Sequence, residues 1–129
     1  MHPSSPQQTL DYHHRSFAHA FDGLKHTFQS HPNLKIHVSL GVLALLAGLF
    51  FQITRTEWLL VLFTILWVIV SEMINTAIEA VCDLITTEYN TSIKIAKDVA
   101  AGMVLVGAFG AVVVGLVIFI PYILHLISF

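Results

Sequence analysis

The stretch Ser71–Asp83, SEMINTAIEAVCD, decides how this chain is read. It follows without a break on residues 58–70, WLLVLFTILWVIV, an apolar run suited to the interior of a bilayer. On a helix of about 3.6 residues per turn, Glu72, Asn75, Glu79 and Asp83 fall within about 80° of one another, a single polar stripe. An ionisable group at the bilayer centre costs about 2.5–3.5 kcal/mol on the insertion scale, so the depth of that stripe matters. Counting from Trp58, an aromatic of the kind found at membrane boundaries, about 1.5 Å per residue puts Glu72 about 21 Å along the helix. A hydrocarbon core about 30 Å thick then leaves Glu72 about 9 Å beneath the far boundary, and Glu79 about 10 Å further on reaches that boundary. Asp83 stands beyond it. The stripe climbs from acyl chains to water.

Such a ramp suits chemistry between a lipid head and a soluble reagent. Desolvation of a carboxylate favours its proton-bound form, a property useful to a general base, and Glu72 sits at the depth where this applies. Glu79, at the wet end, is placed to hold a divalent cation with hard oxygen ligands. Asn75 can donate to phosphate oxygens and accept from a hydroxyl. Acids at helix ends are often solvated caps, and Asp83 alone fits that reading equally well. Glu72 does not, because an acid embedded in a span is a functional hypothesis by default.

The rest of the chain is consistent with a membrane protein. It has 129 residues, enough for one domain, is 56% hydrophobic and 11% charged, and its mean hydropathy is +0.78. A net charge of -2 excludes a polybasic nucleic-acid binder. The single cysteine, Cys82, allows no internal disulfide and lies in the apolar register as a small packing residue. No cleavable signal peptide is expected, because the first thirty residues are polar and rich in His, Pro, Ser and Gln. Residues 1–9 read as a disordered tail. From about residue 10 to 30, Phe17, Phe21, Leu24 and Phe28 recur at helical spacing, an amphipathic helix suited to the membrane surface. SHPN, residues 30–33, punctuates it, and TRTE, residues 54–57, reads as a tight polar turn.

The expected fold is all-α and integral to the membrane: the surface helix, then spans at about 34–53, 58–84 and 95–124 within one domain covering 10–129. From Val99 onward there is no Asp, Glu, Lys or Arg. Arg15, Lys25, Lys35, Lys94 and Lys97 fall on one side of these spans and only Arg55 on the other. That asymmetry predicts a cytoplasmic N-terminus and a cytoplasmic second loop. Ala96, Ala100, Gly107, Ala111 and Gly115 make a small-residue stripe that lets helices approach closely in lipid. Three spans enclose little cavity, which favours a homo-oligomer.

A second polar group, IKIAKDVAAG at 93–102, brings Lys94, Lys97 and Asp98 to the start of the third span. Such lysines can simply snorkel to lipid phosphates. Opposite an acidic stripe, a Lys and an Asp also supply what phosphoryl transfer needs, a cation for the γ-phosphate and another oxygen ligand. There is no GxxxxGK[ST] and no GxGxxG after a strand, so an ATP site here is not built on a phosphate-cradling loop.

EMINTAIEAVCD, TEYN and AKDVAAGMVL together resemble the prokaryotic diacylglycerol kinase family, which includes the undecaprenol kinases of Gram-positive bacteria. The pattern E-x-x-N-[TS]-A-I-E-x-x-x-D is matched from Glu72 to Asp83, E-Y at Glu88 and Tyr89, and A-K-D at 96–98. FDGLKHTF and NLKIH look like the family's surface helix and the start of its first span, so the likeness runs from about Phe17 to Pro121. It implies a bacterial cytoplasmic-membrane enzyme that phosphorylates a lipid alcohol with Mg-ATP, working as a homotrimer with active sites at the cytoplasmic boundary. By matching position, Glu72 would take the hydroxyl proton and Glu79 would ligate Mg²⁺. Asn75, Lys97 and Asp98 would line the phosphate and ribose path, with Glu88, Tyr89 and Asn90 near the outer end of the nucleotide. Asp83 and Lys94 would line the same site.

One position departs from the pattern. His31 stands where the family usually has a second metal-binding carboxylate, and imidazole is a poorer Mg²⁺ ligand. Either Glu79 and the phosphates hold the ion, or the metal preference is altered. Six of the eight histidines lie between His13 and His37, at spacings that match no zinc template, and read as interfacial polar residues. A non-catalytic alternative, an ion conduit or an assembly subunit, would need polar groups at mid-membrane. Residues 58–70 offer only Thr64.

Overall fold

The structure, a computed structural model, describes residues 6–128, and the side chains of residues 12 and 14–128. Four helices follow one another: α1 (Pro6–Ser30), α2 (Pro32–Phe51), α3 (Arg55–Ile85) and α4 (Thr91–Ile127). The last three are long and apolar enough to cross a membrane. At about 1.5 Å per residue α2 is about 30 Å long, the thickness of a hydrocarbon core, while α3 and α4 run to about 46 and 55 Å. The turns by which α3 and α4 exceed that length carry Asn75, Glu79, Asp83, Lys94, Lys97 and Asp98, while Glu72 stays within the first 20 residues of α3.

The helix boundaries differ from expectation where capping decides them. Residues 1–5 of the expected tail lie outside the described residues, but 6–9 belong to α1, which starts on Pro6, a residue favoured in a first helical turn. Of the expected turn 54–57, only Thr54 stays outside a helix. It caps α3 in a reciprocal box with Glu57, so Arg55–Glu57 become the first helical turn. Asn90 caps α4 from Thr91 by accepting from the N–H groups of Ser92 and Ile93 at 2.9 and 3.2 Å. The connection after α3 is therefore shorter than 85–94. Pro121 lies inside α4, which continues to Ile127, past the expected limit at 124.

His31 alone separates α1 from α2, and Pro32 restarts the helix at a position where its missing N–H leaves nothing unpaired. Across this joint the Lys35 ammonium lies 6.0 Å from the centre of the Phe28 ring. Thr27 is buried where α1 meets the bundle, but Phe17, Phe21, Leu24 and Phe28 stay exposed. At the other end, α2 closes on Gln52 with φ 53, and the N–H groups of Gln52 and Ile53 both return to the carbonyl of Gly48. A Cβ on Gly48 would stand 2.9 Å from the Trp58 ring, so glycine is what lets α2 and α3 meet there.

Ile53, Val61 and Ile118 centre the apolar core at this end, with Phe51, Trp58, Phe119 and Tyr122 packed around them. Cys82 is buried, as its register suggests. Of the small-residue stripe, Ala100 and Gly107 are buried, Gly107 against Trp67 and Ser71 of α3. Most other large apolar side chains face outward, the arrangement expected where the solvent is lipid. Between α2, α3 and α4 a half-open apolar cavity of about 270 Å³ is lined at one side by His37.

Candidate active site

The polar stripe of α3 forms as expected, and its exposure follows a gradient. Glu72 is 1% exposed and Asn75 6%, whereas the Glu79 side chain is 35% exposed and that of Asp83 60%. Ser71 and Thr76 are buried beside Glu72, and each turns its hydroxyl back onto its own helix, to the carbonyls of Trp67 and Glu72. Those hydroxyls are thereby quieted as competing ligands.

Asn75 Nδ2 donates to Glu79 Oε1 at 2.9 Å. A carboxylate only accepts, so the amide nitrogen must face Glu79 and Asn75 Oδ1 must face away. That oxygen and Glu72 Oε1 are the two buried side-chain polar atoms without a hydrogen-bond partner among the described residues. Two unsatisfied acceptors within one turn of helix are costly unless a donor arrives, and a substrate hydroxyl is such a donor.

Two histidines of the α1–α2 joint and of α2 face these acids. His31 Nε2 is 3.7 Å from Glu79 Oε2, and His37 Nε2 is 3.4 Å from Glu72 Oε1, near enough to pair but without hydrogen-bond geometry. His37 also lines the apolar cavity, so its ring stands between that cavity and Glu72. The sequence had left His37 among interfacial polar residues. Its signal was available, an imidazole in an otherwise apolar span, but its partner on α3 was not.

The second cluster is also formed, with its charges turned on each other. Lys97 Nζ meets Asp83 Oδ1 at 2.5 Å, joining α4 to the end of α3, and Lys94 pairs with Asp98 one turn along α4. These pairs are exposed and exchangeable, so they leave the cations available to an anionic ligand. Glu88 and Tyr89 are exposed on the loop before α4, and the Glu88 N–H donates to Thr86 Oγ1. Asn90 commits its side-chain oxygen to the α4 cap, which leaves only its amide nitrogen for a ligand.

No group of three His, Cys, Asp or Glu side chains able to cage a metal occurs among the described residues. Glu79 is nonetheless a fit for Mg²⁺ brought by a nucleotide. Mg²⁺ commonly takes one or two carboxylates and completes its octahedron with phosphate oxygens and water, and Glu79 is a half-exposed carboxylate at the water end. His31, set 3.7 Å from it, is the softer neighbour.

Residues 18–119 match the model of a family described as prokaryotic diacylglycerol kinase. The chain is 36% identical over 107 residues to the undecaprenol kinase of Bacillus subtilis (strain 168), covering 83% of this chain and 87% of that one. It is also 36% identical over 112 residues to a diacylglycerol kinase of Synechocystis sp. (strain PCC 6803), covering 86% of this chain and 64% of that protein. The matched region holds the whole polar stripe, the histidine joint and the second cluster.

Proposed function

This chain belongs to the prokaryotic diacylglycerol kinase family and is a lipid kinase, and from that premise we propose that it moves the γ-phosphoryl group of Mg-ATP onto the primary hydroxyl of undecaprenol or a diacylglycerol. The products are the lipid monophosphate and ADP. The observation that carries this reading is Glu72, 1% exposed, with its Oε1 lacking a hydrogen-bond partner, one turn from Asn75 and 3.4 Å from His37, which lines an apolar cavity. A lipid alcohol presents the two things that place lacks: a hydrogen-bond donor and a hydrocarbon tail.

In this mechanism the lipid lies with its chain among the apolar side chains and its hydroxyl on Glu72. Glu72 accepts the proton as the hydroxyl oxygen attacks phosphorus. Asn75 orients the alcohol through its free oxygen, which accepts from the hydroxyl, and the phosphate through its amide nitrogen, which donates. Glu79 would hold the magnesium ion, which supplies charge neutralisation at the β- and γ-phosphates, with His31 an outer neighbour. Lys97 and Asp98, with Asp83 and Lys94 beside them, line the phosphate and ribose path. Glu88, Tyr89 and the amide of Asn90 meet the outer end of the nucleotide. Electrostatic positioning of this kind is most of what phosphoryl transfer asks of a protein.

The basic residues favour a cytoplasmic N-terminus, which puts the site on the ATP-bearing face of the bacterial membrane, with α1 lying along its surface. A homotrimer is supported by Gly102 and Gly110, where an added Cβ would meet nothing within 4 Å and another helix can approach closely. The test is labelled ATP with purified protein and undecaprenol or diacylglycerol in mixed micelles. Lipid-dependent transfer to either alcohol supports the reading and selects the acceptor. ATP consumption without a labelled lipid, or ion flux in liposomes without ATP, would favour a different protein altogether.

A further inference from the structure

We propose, on the premise of the kinase reading, that His31 selects the metal: with Glu79 it makes a mixed nitrogen–oxygen site that favours a first-row transition ion, Mn²⁺ or Co²⁺, over Mg²⁺. The fold prepares both donors. His31 is the one residue between α1 and α2, its N–H held by the carbonyl of Thr27 at 3.0 Å. It occupies the N-cap of α2, yet its side chain makes no capping bond. The backbone is fixed by a helix on either side and the ring is left for another use.

Glu79 is prepared in the complementary way. Asn75 Nδ2 donates to its Oε1 at 2.9 Å, which orients the carboxylate and leaves Oε2 without a hydrogen bond among the described residues. That free oxygen is the one that faces His31 Nε2, at 3.7 Å. Lys97 closes on Asp83 to 2.5 Å, whereas His31 and Glu79 stop well short of such contact. A charge-assisted hydrogen bond would draw them to about 2.7–2.9 Å. Two donors each about 2.0–2.2 Å from one ion stand no more than about 4.4 Å apart, so 3.7 Å is a gap that an ion can bridge. Both side chains are partly exposed at the water end of the stripe, within reach of an ion carried by a nucleotide.

The donor set decides which ion gains. Mg²⁺ takes hard oxygens and gives up water reluctantly, so Glu79 and the phosphates serve it and His31 stays outside the shell. Imidazole suits the borderline first-row ions, whose affinity for such donors rises from Mn²⁺ to Co²⁺. For these ions His31 takes the place of a water, and the protein offers two donors where Mg²⁺ uses one. His37, the other histidine beside an acid, does not compete for the role, because it faces Glu72 at the buried end of the stripe. Among the described residues His31 is the one basic side chain within ion-pairing distance of Glu79.

The experiment reads binding without turnover, in the purified oligomer with the β,γ-methylene analogue of ATP. Mn²⁺ should bind wild type at least about tenfold more tightly than His31→Gln, while Mg²⁺ affinity, read by competition, changes less than about twofold. Bound Mn²⁺ in wild type should show a nitrogen coupling in its spin-echo spectrum that changes when the protein carries ¹⁵N-histidine. In His31→Glu that coupling should vanish and Mg²⁺ should bind more tightly, so this variant decides the matter even if His31→Gln does not assemble. Absence of a histidine nitrogen on the wild-type ion, or an equal loss of both metals in His31→Gln, would overturn the proposal. Lipid phosphorylation assayed in parallel separates the two readings. Transfer without histidine on the metal keeps the kinase and ends the selection. Histidine-bound Mn²⁺ without transfer to any lipid upholds the site and ends the kinase.

Discussion

Helix α3 carries Glu57 in its first turn and Glu72 near its middle, and the two acids are treated in opposite ways. Glu57 is held through one oxygen: its Oε2 accepts from the Thr54 N–H at 2.7 Å, from the Thr54 hydroxyl at 2.8 Å and from the Tyr122 hydroxyl at 2.8 Å. Glu72 is more deeply buried, yet its Oε1 has no hydrogen bond and only His37 at 3.4 Å beside it. A carboxylate oxygen that its own chain answers three times is a fastener, and one left unanswered in a dry place is waiting for a donor. Sequence alone puts Glu57 in a polar turn and Glu72 inside a span. The accounting of partners adds which of the two is answered by its own chain.

The sharpest way to break the comparison is at Glu72. Glu72→Gln keeps the volume and removes the proton acceptor, so turnover should drop about 10²–10⁴-fold while the oligomer elutes as before. Retention of most of the wild-type rate in purified protein would mean that the buried acid is only tolerated, like Glu57 in a worse location. Glu79→Ala tests the wet end of the same stripe. It removes the carboxylate placed for Mg²⁺, so the Mg²⁺ concentration for half-maximal rate should rise by about tenfold, with the lipid dependence little altered. A Mg²⁺ titration that overlays wild type would take Glu79 out of the metal site.

Much of this contrast was legible before any coordinates. The three spans follow from runs of apolar residues, and the stripe from the spacing of Glu72, Asn75, Glu79 and Asp83 on one helical face. The Lys94–Asp98 pair and the Thr54–Glu57 box depend only on local spacing, yet TRTE reads as a turn because its polar residues serve a turn and a helix start equally well. What the sequence did not reveal are the pairings between elements. His37 meets Glu72 and Tyr122 meets Glu57 because of the rotation and register of α2 and α4 against α3, which periodicity leaves free. Asn90, read from the sequence as a nucleotide contact, also caps α4 through its side-chain oxygen, which leaves the amide nitrogen as the part able to meet a ligand. The extension of α1 back to Pro6 was hidden by composition, since a Pro–Gln start resembles a tail as much as a first turn.

The Trp58 end, by the same logic, should respond in stability and not in chemistry. Gly48→Ala would press a methyl 2.9 Å from the Trp58 ring and 3.1 Å from Ile53, in a turn already drawn tight by Gln52. Overpacking of that kind costs about 1–3 kcal/mol, read as a lower midpoint of thermal unfolding in detergent, with kcat of the surviving fold unchanged. Equal stability would show that the α2–α3 turn has slack that its geometry denies.

Thr54→Ala is the mildest change and isolates the fastener itself. It deletes one of the three donors to Glu57 and the cap of α3, at about 1 kcal/mol, the usual value of an N-cap hydroxyl. Glu57 would keep the Thr54 backbone N–H and the Tyr122 hydroxyl, so the acid stays answered and the fold holds. Lipid phosphorylation should be unaffected, because Glu57 and Glu72 stand fifteen residues apart on one helix, about 22 Å along its axis. If Thr54→Ala instead altered kcat, the first turn and the middle of α3 would be mechanically linked, and the division between an acid that fastens and an acid that reacts would have to be redrawn along the helix.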